Sequence, residues 1–96
     1  KLNCEKQEDY FWQLPLWKGY EKHIDSNVAD LNNSGNTSFA GAITAALFLL
    51  KFVKNKRDFV HIDAYSWNDR DQAGRPIGGE ASLLRGLFSF LQKRYN

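Results

Sequence analysis

Apolar residues recur at helical spacing in three stretches and gather into two shorter runs between them. Pro15 stands where a first helical turn tolerates proline, and Leu16, Trp17, Tyr20 and Ile24 then fall along one face, which predicts a short helix over about 15–24. Val28-Ala29-Asp30-Leu31 predicts a brief strand, followed by the turn formers Asn32 to Asn36. Thr37 or Ser38 is placed to cap a helix running through Val53, with Ala42, Ile43, Ala46, Leu47, Leu50 and Val53 as its core face. Phe48, Leu49 and Phe52 make the other side of that helix apolar as well, so it requires packing partners on more than one side. Asp58 to Ala64 is the clearest strand candidate, with aromatic and β-branched residues bounded by polar loops. A last helix over about 79–95 carries Leu83, Leu84, Leu87, Phe88 and Leu91 on one face, with Glu80 in its first turn.

The order helix, strand, helix, strand, helix places the chain in the α/β class. Its middle three elements form a crossover that makes the two strands parallel and the connection right-handed. Parallel strands are buried on both faces, and two of them cannot cover three apolar helices. The expectation is a fragment of a larger α/β domain whose remaining strands lie outside these residues. The chain begins with Lys1 and contains no methionine, which agrees with truncation. No repeat, low-complexity tract or linker interrupts it, so residues 1–96 are expected to form one structural unit.

Composition narrows the classes further. At 43% hydrophobic and 15% aromatic, the chain is too apolar for a disordered tail. Net charge is only +2, and the one dense basic run, Lys54, Lys56 and Arg57, is short and lacks interleaved aromatics. It reads as a solvated loop, so no nucleic-acid partner is expected. The uncharged stretch Phe39 to Leu50 is too short to span a bilayer, and no basic signal-peptide head precedes it, so no membrane partner is expected either. Cys4 is the single cysteine, which excludes an internal disulfide and a cysteine-based zinc knot and fits a reducing cytoplasm; it reads as a bystander near a chain end.

Candidate chemistry is sparse. His61 and Asp63 lie two apart on the predicted strand and so share a face, but catalytic zinc takes three protein ligands and no third recurs at a metal-binding spacing. They read as residues satisfied by hydrogen bonds at a buried strand end, and His23 reads as a surface residue closing its helix. The segment Asn68 to Glu80 follows the strand's carboxyl end, where open α/β sheets place ligand crevices, yet its glycines match no phosphate-binding spacing. No serine, threonine or cysteine stands in a nucleophile motif. No catalytic residue and no metal ligand is assigned.

Four blocks in order, Val28 to Asn33, Ala40 to Leu49, His61-Ile62-Asp63 and Gly74-Arg75-Pro76, closely resemble the carboxyl-terminal part of the leucine (cytosol) aminopeptidase family. The likeness runs from about Trp12 to Leu91 and implies a carboxyl-terminal fragment of a three-layer α/β/α domain. The form Asp63-Ala64-Tyr65-Ser66-Trp67-Asn68 differs from commoner members, which carry small residues after His-x-Asp. The resemblance implies a cytoplasmic parent enzyme that removes amino-terminal residues from peptides with two divalent metal ions, zinc or manganese, in a homo-hexamer. The family's metal ligands and its catalytic arginine, within an Asn-Thr-Asp-Ala-Glu-Gly-Arg signature, precede the matched segment. Here Asn36-Thr37 is followed by Ser38-Phe39, so that signature is not present and the fragment is expected to be inactive alone. The resemblance carries over one set of residues: Tyr65, Ser66, Trp67 and Asn68 match the stretch beside the pocket for the substrate's first side chain. The competing expectation, from a different functional class, is a non-catalytic protein-interaction module that binds through apolar surface.

Overall fold

The computed structural model describes residues 1–55 and 58–96; Lys56 and Arg57 of the basic run lie outside the described residues. The chain divides into two compact units, not one. Residues 14–63 form the first, and residues 1–13 with 64–96 form the second.

Residues 14–63 hold a 3₁₀ helix, Lys18–His23, and helix α2, Gly41–Leu50. Helix α1 belongs to the other unit. The core here is Ile24, Ala46 and Leu47, the last only 1% exposed. The predicted 15–24 helix shortens to the 3₁₀ segment, in which Trp17 and Tyr20 stack edge to face at 4.8 Å. Predicted capping by Thr37 or Ser38 is also corrected. The residue before α2 is Ala40, in the left-handed backbone region at φ 54°, while Thr37 Oγ1 accepts the Phe39 N–H one turn earlier. Lys51 pairs with Glu21 at 2.7 Å, joining the end of α2 to the 3₁₀ helix. The second apolar side of α2 and the turn after it lack the packing partners that the pattern requires within this unit, with Leu49 45% and Phe52 66% exposed.

The strand expected at 28–31 does not form. Ser26 Oγ accepts the N–H groups of Val28 and Ala29, a local bond that competes with a ladder, and Val28 is left exposed. The following loop folds back on the 3₁₀ helix. Asn32 N–H donates to the Ile24 carbonyl, Asn36 N–H to that of His23, and Asn32 Oδ1 accepts the Ser34 N–H. His23 closes the 3₁₀ helix as expected, its Nδ1 lying 2.7 Å from Asn36 Oδ1.

Residues 59–64 join no ladder among the described residues either, and Val60 and Ile62 lie in the open. The expected parallel pair is therefore not formed in this chain. Edge groups of a parallel strand are satisfied only by neighbouring strands, and none stands beside these residues among the described ones.

The second unit joins the two ends of the chain. Helix α1, Leu2–Lys6, lies against helix α3, Leu84–Tyr95, with Gly86 as the point of closest approach. A Cβ at Gly86 would stand 2.8 Å from Cys4 Cβ and 2.9 Å from Cys4 Cα. Cys4 is buried and forms the helix contact, so it is no bystander. Helix α3 begins five residues later than the predicted 79, because Leu83 takes the left-handed conformation at φ 64° and residues before it belong to a hairpin. Asp9 supplies the cap. Its Oδ1 accepts the Leu83 N–H at 2.8 Å and its Oδ2 the Gly86 N–H at 3.0 Å. Burial alone pushes the Asp9 carboxyl upward, but those two bonds and the nearby Arg85 charge outweigh it and hold the group below the usual carboxylate range.

Candidate functional site

Among the described residues the sole strand ladder is antiparallel: β1, Trp67–Asn68, pairs with β2, Gly78–Gly79, in the register Trp67 to Gly79 and Asn68 to Gly78. Of the four residues singled out beside the proposed pocket, Trp67 and Asn68 form β1, and Tyr65 and Ser66 lead into it. The sequence predicts no strand here, because each strand is only two residues long. The hairpin is closed at its tip by mutual bonds between Gln72 and Arg75, with Gly74 at φ 73° in the third position, as a type II turn requires. Asp71 Oδ1 accepts the Ile77 N–H at 2.7 Å. At the base, the Glu80 N–H donates to the Ser66 carbonyl at 2.9 Å. Glu80 is thus part of the hairpin and not of the first helical turn, and its carboxylate faces Arg75 at 3.7 Å.

The four residues point to different tasks. Tyr65 and Trp67 are exposed, at 77% and 53%, so neither ring is buried within this chain. The Tyr65 hydroxyl reaches Asp69 Oδ1 at 3.5 Å, at the limit of a hydrogen bond. Ser66 adopts the left-handed region at φ 52°, which bends the chain between the two rings. Asn68 turns inward, its Nδ2 donating to the carbonyls of Arg75 at 2.6 Å and Pro76 at 3.0 Å. Arg75, Glu80 and Ser82, with Glu8, Asp9 and Tyr10, line a separate polar groove of about 290 Å³.

His61 is half-buried and Asp63 exposed, without the buried strand that was expected around them. Among the described residues no three His, Cys, Asp or Glu side chains gather as a metal site would need. Among the same residues no helix is long and apolar enough to cross a membrane.

The hairpin that follows His61-Ile62-Asp63 and leads into α3 is a segment of a peptidase catalytic domain. The profile of the cytosol aminopeptidase family, catalytic domain, matches residues 2–87, and the chain belongs to that family. A probable cytosol aminopeptidase of Syntrophotalea carbinolica is 40% identical over 91 residues, covering 93% of this chain and 18% of the relative. A probable cytosol aminopeptidase of Shewanella sediminis is 43% identical over 82 residues, covering 79% of this chain and 16% of its own length. Among solved structures, the cytosol aminopeptidase of Coxiella burnetii superimposes with a TM-score of 0.91 at 47% identity, over 98% of this chain and 21% of that one. The chain thus spans about a fifth or less of the length of these relatives.

Proposed function

We propose that this chain is the carboxyl-terminal portion of the catalytic domain of a cytoplasmic, metal-dependent aminopeptidase that releases amino-terminal residues from peptides. The observation that carries the reading is the fit of nearly the whole chain, at a TM-score of 0.91, to about a fifth of one solved cytosol aminopeptidase. Within the parent, residues 58–64 become a strand in the parallel sheet of a three-layer α/β/α domain once neighbouring strands are present. The exposed β-branched side chains of Val60 and Ile62 support this, since they suit a strand packed on its faces. The open side of α2, with Leu49 and Phe52, is covered by the same domain or by neighbouring subunits of a hexamer.

The parent's two divalent ions, zinc or manganese, would supply a polarised substrate carbonyl and an activated water. The described residues of this chain do not fit such a pair, because no cluster of three donors exists among them. The chain's own contribution is a pocket wall at Tyr65, Ser66, Trp67 and Asn68. The two exposed rings face the substrate's first side chain, and the inward amide of Asn68 holds the hairpin that carries them.

The test compares this chain alone with the intact enzyme, using a leucyl chromogenic substrate and calorimetric titration with zinc. The intact enzyme is expected to turn over and the isolated chain neither to turn over nor to bind zinc tightly. Metal-dependent turnover by the isolated chain would refute the division of labour.

A further inference from the structure

We propose that the cross-strand pair Trp67 and Gly79 sets the size of substrate side chain that the pocket accepts, with Gly79 as its determinant; this rests on the pocket-wall role proposed above. The bond from the Glu80 N–H to the Ser66 carbonyl makes residues 66 and 80 a hydrogen-bonded pair. The next pair along the antiparallel ladder, Trp67 and Gly79, is then a non-hydrogen-bonded one, the geometry in which facing side chains approach most closely. Opposite the indole there is no side chain at all.

Neither backbone nor packing demands this glycine. Gly74 and Gly78 hold positive φ values of 73° and 127°, whereas Gly79 does not take that conformation. Among the described residues, a Cβ placed on Gly79 meets no atom within 4 Å beyond its chain neighbours. Glycine weakens a strand and gives it no side chain to pack, so its presence leaves a vacancy in front of Trp67, which is 53% exposed. A flat apolar ring beside a vacant cross-strand position is suited to a large apolar side chain. A side chain at position 79 would occupy the same space.

The experiment places Gly79→Ala and Gly79→Val in the intact enzyme and measures kcat/KM for alanyl, leucyl and phenylalanyl chromogenic substrates, with the thermal midpoint alongside. For Gly79→Val the leucyl and phenylalanyl values are expected to fall about tenfold or more relative to the alanyl value. Gly79→Ala should shift the ratios in the same direction by less. Unchanged ratios in Gly79→Ala and Gly79→Val, or a parallel fall for all three substrates, would overturn the proposal. If Gly79→Val does not fold, the ratios of Gly79→Ala decide. A wild-type enzyme that cleaves none of the three would overturn the aminopeptidase reading and this inference with it, whereas wild-type cleavage with unaltered variant ratios overturns the pair alone.

Discussion

Gly86→Ala tests the contact that joins the two ends of the chain. Ordinary carbon contacts lie near 3.5–4.0 Å, so a methyl held 2.8 Å from Cys4 Cβ and 2.9 Å from Cys4 Cα is too close by roughly 0.6–1.2 Å. The obstructing atoms include backbone, which no rotamer change relieves, so α1 must move away. Replacing glycine by alanine in a helix gains up to about 1 kcal/mol in propensity. Overpacking costs about 1–3 kcal/mol, and Gly86 lies in the first turn of α3, where the propensity gain is smallest. The net expectation is a loosening of α1 by about 1–2 kcal/mol, a factor of roughly 5–30 in the open population. Cys4 reports it directly, being both the single cysteine and only 6% exposed. Its labelling by an aromatic disulfide reagent, under conditions where opening precedes reaction, should accelerate by that factor. Labelling of Gly86→Ala at the wild-type rate would refute the close approach.

Asp9→Ala removes two charge-assisted bonds to the start of α3 and should destabilise the second unit by about 1–2 kcal/mol, read as faster amide exchange at Leu83 and Gly86. Because the folded-state pKa of Asp9 is lowered, its stabilisation is fully present above the unfolded-state carboxylate range, near pH 4, and is lost as pH falls through the lower folded value. In the wild type the two amides should therefore lose protection in strong acid, and in Asp9→Ala this acid step should vanish. The isolated chain should also self-associate, since Trp12 at 88%, Phe39 at 80% and Val28 at 97% exposure leave apolar surface uncovered; light scattering of a clean monomer at high concentration would count against this.

The helices were legible because their apolar spacing is strong, and α2 and α3 both form within the predicted spans. Their starts were not, because Ala40 and Leu83 carry left-handed backbones that neither residue type advertises. The cap on α3 comes from Asp9, 74 residues earlier, and no local pattern encodes a partner at that distance. At 28–31 the composition of a strand was present, but the hydroxyl of Ser26 takes the amides a ladder would use. The candidate pocket wall rests on the family resemblance and on its place just past the carboxyl end of the predicted 58–64 strand. Its hairpin form was hidden by strands two residues long, and Gly79, absorbed into the predicted last helix, was missed although the Gly78-Gly79 doublet argued against a helix there.

The central claim, that this chain is the carboxyl-terminal working part of a cytosol aminopeptidase, is tested most directly by exchange. The Coxiella burnetii enzyme, to which the chain is 47% identical, can be made with the matching fifth of its length replaced by residues 1–96. Turnover of a leucyl chromogenic substrate by the purified chimera is then measured with and without added zinc or manganese. Metal-dependent hydrolysis is expected, and it should be absent when residues 1–96 are omitted. A folded chimera that binds its metals but cleaves no aminoacyl substrate would contradict it.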